Sequence, residues 1–173
     1  MLNNIRQLQK NITDQIIEAQ LKLGFVKETM RFYYPLDSLN TLLGGSYDTP
    51  KDMCRELEKA YPVFHFCVHE ERIEVSAPAD YVEYVHKNVS PSTFLAELVE
   101  AFKQNHFLTL SQIEGVFAEF GEYCCEEMPE GADFDYVIYF TDSGVDEYYY
   151  CVKMEMGHTI YHRFLKSDYE KLI

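Results

Sequence analysis

The sequence predicts an α+β fold, in which helices are interspersed with antiparallel strands along 173 residues. Three observations support this. Apolar residues three and four positions apart over 2–23 are typical of an amphipathic helix. Strict alternation of apolar and polar residues over 64–77 predicts a β-hairpin. Three runs rich in tyrosine, phenylalanine and valine over 134–166, separated by turns that contain glycine, predict a three-stranded antiparallel meander.

The hairpin has the most clearly specified register of the three. If Glu70-Glu71 is the loop, His69 faces Arg72 and Phe66 faces Val75. A four-residue loop from His69 to Arg72 would keep the same pairing. The apolar face then consists of Phe64, Phe66, Val68, Ile73, Val75 and Ala77. The polar face consists of His65, Cys67, His69, Arg72, Glu74 and Ser76. A slip of one residue would mix the two faces, so the register is well defined.

Four elements are predicted ahead of the hairpin. The first helix, 2–23, ends at Gly24, a residue that suits a helix C-terminus. A short strand over 30–34 and a short helix over 36–43 follow. The next helix begins at Thr49-Pro50, because threonine can cap a helix and proline suits its first position.

This order of helix, strand, helix, capped helix and hairpin resembles the winged-helix family, a helix-turn-helix variant, over residues 4–78. The resemblance implies that TPKDMCRELEKAY takes the place of the recognition helix. Its three cations are balanced by three acids, and the hairpin tip carries Glu70-Glu71 rather than lysine or arginine. The sequence therefore favours the winged-helix fold more than DNA binding.

The second half predicts further helices and then the meander. Helices are expected over 78–89, after Ser90-Pro91, and after Thr109, which forms a capping-box pattern with Gln112. Residues 122–133 are acidic and are expected to form a loop. We expect one unit over 1–78 and a second part over 79–173. That part is either a second winged-helix-like unit or a portion of one continuous domain.

The net charge of −14 is concentrated in the second part. Residues 1–78 carry nine Lys/Arg and eleven Asp/Glu, whereas residues 79–173 carry six and eighteen. Because phosphate neutralisation supplies most nucleic-acid affinity, this charge disfavours nucleic acid as a partner.

No apolar run is long enough for a membrane span. The five cysteines show no disulfide pattern, which favours the cytoplasm.

The C-terminal runs FDYVIYF, DEYYYC and GHTIYHRF resemble a family of small clostridial proteins of unknown function. The likeness covers most of the chain. It implies a cytoplasmic bacterial setting, and it carries no activity, cofactor or catalytic residue.

His65, Cys67 and Glu74 are the candidate metal ligands, because all three belong to the polar hairpin face. Residues two apart on a strand are separated by roughly 6.6 Å, so at most two of His65, Cys67 and His69 could reach one ion. We therefore expect no metal site and no cofactor. An enzyme or metal protein that uses this face, or His158 and His162, remains an alternative.

The aromatic meander supplies the candidate binding residues. They are Tyr136, Tyr148, Tyr149, Tyr150, Tyr161 and Arg163. Three consecutive tyrosines place tyrosine on both faces of the sheet. A face that helices leave uncovered would be a tyrosine-rich surface of the kind that binds partners.

These observations predict a non-enzymatic, cytoplasmic protein-interaction module, in which a homodimer through the second sheet is the simplest arrangement. The alternative is a winged-helix DNA-binding regulator with an acidic C-terminal half. No catalytic residue is assigned, since no sequence motif of a known catalytic site is recognisable.

Overall fold

The computed structural model describes residues 4–173 and has the predicted α+β class. It divides into two compact units, Met1–Pro91 and Ser92–Ile173. Residues 2 and 3, the predicted start of the first helix, lie outside the described part. Within that part, no helix is both long and apolar enough to cross a membrane.

The described part of the first unit contains four helices and three strands. In chain order these are α1 (Ile5–Leu23), β1 (Met30–Pro35), α2 (Leu36–Leu43), α3 (Pro50–Ala60), β2 (His65–His69), β3 (Arg72–Ala77) and α4 (Ala79–Asn88). The strands form an antiparallel sheet in the order β1-β3-β2.

The predicted capping residues lie at the C-terminus of α1 and at the N-terminus of α3. Gly24 takes a left-handed conformation, with φ of 73°, and its N–H donates to the carbonyl of Gln20. The Thr49 hydroxyl accepts the N–H of Asp52, and Pro50 begins α3. Local sequence therefore determines where these two helices end and begin.

The register predicted for the hairpin is confirmed. Phe66 pairs with Val75 and His69 pairs with Arg72, which leaves Glu70-Glu71 as the turn. The apolar face packs into the core, except that Val68 is 45% exposed near the tip. β1 pairs with β3, so that β3 is the central strand.

The division between the units falls after Pro91 rather than after Pro78. Helix α4 packs on α1, because the hydroxyls of Tyr81 and Thr13 lie 2.9 Å apart and Val82 and Val85 are fully buried. The helix that follows the hairpin therefore belongs to the first unit.

The second unit consists of two helices followed directly by a meander and a terminal turn. These are α5 (Thr93–Gln104), α6 (Leu110–Phe120), β4 (Tyr123–Glu127), β5 (Tyr136–Phe140), β6 (Tyr148–Glu155), β7 (His158–Leu165) and α7 (Lys166–Tyr169). The antiparallel sheet has the order β4-β5-β6-β7. Among the described residues, no strand separates α5 from α6, whereas β1 separates α1 from α2 in the first unit.

The three predicted strands are present as β5, β6 and β7, but the sheet has a fourth strand, β4, that was not predicted from the sequence. β4 lies within the acidic stretch that was expected to be a loop, and Cys124 pairs with Tyr139 while Glu126 pairs with Val137. Acidic side chains are tolerated here because β4 is an edge strand, where charged residues are common.

Helices α5 and α6 cover one face of this sheet, called here the helix face. The main core lies between these two helices and the sheet. Aromatic rings of the helices and the sheet meet edge to face there, with Phe94 4.8 Å from Phe140 and 5.6 Å from Tyr150. The opposite face, called here the outer face, carries a smaller core of Met128, Val137, Cys151 and Tyr169.

Candidate interaction surface

The six predicted binding residues do not form one surface. Tyr148, Tyr150 and Tyr161 are buried in the core on the helix face, and Tyr136 packs against the same core. Arg163 pairs with Tyr150 across β6 and β7, so it lies on that face as well. The remaining candidate, Tyr149, lies on the outer face. The alternation was predicted correctly, but it places four of the six beneath the helices, while the half-buried Tyr136 reaches the end of the sheet.

Arg163 belongs to a polar cluster at the edge of this core. Its guanidinium carbon lies 4.3 Å from the centre of the Tyr148 ring. The Tyr150 hydroxyl donates to Asp146 Oδ2 at 3.0 Å. Burial and the Asp146 carboxylate raise the pKa of Tyr150 well above its usual value, although Arg163 opposes this shift. These contacts stabilise the second unit and leave Arg163 poorly placed to receive a ligand.

The outer face carries a partly open group of aromatic rings. Tyr139 and Tyr149 stack with their centres 4.2 Å apart and their planes 4° from parallel. Tyr169 of α7 lies 5.0 Å from Tyr149. The Tyr139 hydroxyl donates to Glu126 Oε1 at 2.8 Å, and this bond is the main reason that the pKa of Tyr139 is raised. The chain's own C-terminal turn therefore covers part of the outer face.

A cleft of about 700 Å³ lies at one end of the sheet. It is formed by the segment that connects β4 to β5 together with Tyr136 and Met154. The described residues that line it include three acids, Glu127, Glu130 and Asp135, and no lysine or arginine. Its volume is within the range of ligand-binding clefts.

Asp135 fixes the shape of this cleft. The Met154 N–H donates to Asp135 Oδ2 at 2.6 Å, and the Asp135 N–H donates to the carbonyl of Val152. Pairing between β5 and β6 begins at Tyr136 opposite Val152, whereas β6 continues to Glu155 in its hairpin with β7. That hairpin therefore projects beyond β5, and the cleft lies beside the projection.

The candidate metal ligands of the first unit each have another neighbour. His65 Nδ1 lies 3.7 Å from Glu58, and Arg31 lies 3.7 Å from Glu74. Burial and the nearby Glu74 raise the pKa of Cys67. Among residues 4–173, no group of three or more His, Cys, Asp or Glu is placed to hold a metal ion. This arrangement is that of a polar sheet face.

Comparison with protein families matches residues 5–173 to the family described as "Domain of unknown function, E. rectale Gene description (DUF3877)". The chain belongs to this family. The match spans nearly the whole length and agrees with the expected likeness to a family of unknown function. No curated protein and no solved structure matches the chain.

Three cysteines of this DUF3877 chain are poor nucleophiles. Burial raises the pKa of Cys54, Cys125 and Cys151 to about 11, and Glu114 adds to the shift at Cys125. Because the thiolate is the reactive form, these side chains are protonated and inert at neutral pH.

The cleft is the feature that the sequence does not reveal directly. Its acids fall in a stretch that carries eleven acidic residues from Glu114 to Glu147, and such runs are usually solvated. The sequence signal for β4 is the pair of apolar residues Tyr123 and Cys125, which are two positions apart and both pack against the core on the helix face. With β4 assigned, residues 128–135, which include three acids, become a connection between two paired strands.

Proposed function

We propose that this chain is a non-enzymatic protein-interaction module that docks a partner through its second unit. The observation that carries the proposal is the acid-lined cleft beside the projecting hairpin of β6 and β7. The cleft is concave and is lined by apolar side chains together with a few polar groups, and binding sites commonly combine these features. The inert thiols support a role in binding rather than in nucleophilic catalysis.

Site-specific photo-crosslinking in bacterial cells tests this proposal. A photoreactive benzophenone amino acid is introduced in place of Glu130, at the cleft, and separately in place of Glu97, an exposed residue of α5. We expect a discrete covalent adduct with a second polypeptide from the Glu130 position and a much weaker one from Glu97. Absence of adducts at both positions, or equal adducts at both, would contradict the proposal.

The same experiment distinguishes a homodimer from a complex with another protein. An adduct of twice the chain mass that contains only this sequence would identify a second copy as the partner. Light scattering on the purified protein then gives the oligomeric state in solution.

The topology of the first unit favours a second candidate, a winged-helix regulator. Three observations support a winged-helix-like unit: the element order from α1 to β3, the sheet order β1-β3-β2 and the capped α3 in the recognition position. The charges do not support DNA binding. Arg55 lies 3.6 Å from Asp52, Lys59 lies 3.6 Å from Glu56, and the hairpin tip is acidic.

A gel-shift assay at low salt tests the DNA-binding alternative. The charge pairs along α3 lead us to expect no retention of double-stranded DNA, since non-specific affinity depends on unneutralised cations. Retention of DNA by the unmodified protein that is lost in Arg55→Ala would instead favour a DNA-binding regulator.

A further inference from the structure

Glu127 and Glu130 are two exposed carboxylates at the cleft, and among the described residues neither forms an ion pair. The third acid, Asp135, is engaged by the Met154 N–H. Two carboxylates are therefore available to accept hydrogen bonds from outside the chain. Charge-assisted hydrogen bonds of this kind are about twice as strong as neutral ones.

Apolar groups lie next to these carboxylates. Met128, Phe134, Tyr136 and Met154 all line the cleft, and Phe134 is held in place by a ring contact of 5.8 Å with Phe164. Arginine and lysine combine a long apolar stem with a cationic head. A cleft that presents both apolar side chains and free carboxylates matches both parts of such a side chain.

The charge of the molecule also favours a cationic partner over a second copy. The chain has a net charge of −14, so another copy would bring the same charge to an already acidic surface. Like charges across an interface are costly, whereas opposite charges speed encounter and favour the correct partner.

Building on the proposed function, we propose that the cleft binds an extended segment of a partner protein in which arginine or lysine alternates with apolar residues. The cationic heads contact Glu127 and Glu130. Their stems and the apolar residues pack on Phe134, Tyr136 and Met154.

Fluorescence anisotropy with labelled synthetic peptides tests this inference on the full-length protein. The probe is GALRVRLAG, and its controls are GALQVQLAG and GALEVELAG. The double variant Glu127→Gln/Glu130→Gln removes the free carboxylates. The matched control Glu97→Gln/Glu119→Gln removes two exposed charges elsewhere in the same unit. Circular dichroism checks that both variants are folded.

We expect only the arginine peptide to bind, and we expect the cleft variant to weaken it by about tenfold or more, the loss typical of charge-assisted contacts. The control variant should change binding by less than about twofold, as expected for distant surface charges. Equal weakening by both variants would overturn the inference, because it would indicate a general field effect. Displacement of the peptide by spermidine at the same concentration as by unlabelled peptide would also overturn it.

Absence of peptide binding would likewise overturn the inference. If the Glu130 position still gave a protein adduct in cells, the proposed function would stand and only the cationic partner class would be removed. If neither experiment gave binding, both would fall.

Discussion

At the scale of single residues, the tip of the hairpin between β6 and β7 shows how one glycine determines local structure. Gly157 has φ of 78°, in the left-handed region. A Cβ built on it would lie 2.5 Å from Cε1 of Phe107, whose ring packs over the turn. Its neighbour Met156 also has positive φ, 46°, and is 93% exposed. Only glycine suits position 157 both in its backbone conformation and in its space.

We predict that Gly157→Ala destabilises the second unit by about 1 kcal/mol or more, since alanine is strained at positive φ and the Phe107 ring must move. The matched control is Gly115→Ala within α6, where a Cβ meets nothing within 4 Å. That change should stabilise the unit by about 0.5–1 kcal/mol, because alanine is the better helix former. Urea denaturation of both variants gives the comparison, and shifts in the same direction would contradict it.

Cys151 predicts how stability depends on alkaline pH. Burial raises its pKa from 9.0 to about 11 in the folded chain. The folded state therefore holds the proton more tightly than the unfolded state. The resulting stability is fully present below pH 9 and is lost as the pH rises through 11.

We expect this thiol alone to lower the free energy of unfolding by about 2 kcal/mol between pH 8 and pH 11, since each pKa unit corresponds to about 1.4 kcal/mol. Cys151→Ala removes the titration, although it also leaves a small cavity. The slope of stability against pH, and not its absolute value, is therefore the quantity to compare. An identical slope in the variant would show that Cys151 does not contribute.

At the scale of elements, the accuracy of the sequence predictions follows from how local their causes are. The hairpin register was predictable because its two faces differ completely in polarity. The caps at Thr49 and Thr109 were predictable because the donor and acceptor lie three residues apart. β4 was missed because its acids resemble a loop, and its strand form depends on pairing with the more distant β5.

The capping box of α6 gives a prediction for one element. The Thr109 hydroxyl accepts the Gln112 N–H at 3.2 Å, and the Gln112 side chain accepts the Thr109 N–H at 2.9 Å. Thr109→Ala should lower the stability of the second unit by about 1 kcal/mol. Ser111→Ala, an exposed change in the same helical turn, should cost less than about 0.5 kcal/mol. A thermal or urea melt compares them, and equal losses would argue against the cap.

At the scale of the whole molecule, the chain consists of two compact units, each with its own sheet and its own helices. Sequence alternation showed that the second sheet has tyrosine on both faces. It did not show which face the helices cover, because that depends on packing between distant residues. The candidate site is therefore the cleft at the end of the sheet, which includes only Tyr136 of the six predicted residues. Four of the others, Tyr148, Tyr150, Tyr161 and Arg163, lie on the face that α5 and α6 cover.

The two-unit organisation predicts that fragments 1–91 and 92–173 fold separately, since each unit has its own set of helix and sheet contacts. Circular dichroism and dispersed amide resonances in two-dimensional NMR spectra would show this for each fragment. Two unfolded fragments would contradict the division.

Amide chemical-shift mapping tests whether a partner binds at the cleft of the second unit. The isotope-labelled full-length protein is titrated with the GALRVRLAG peptide. We expect the shifts to concentrate in residues 127–136 and 153–155, which form the cleft and its rim. Shifts centred instead on α3 and the Glu70-Glu71 turn, or no shifts at all, would contradict it.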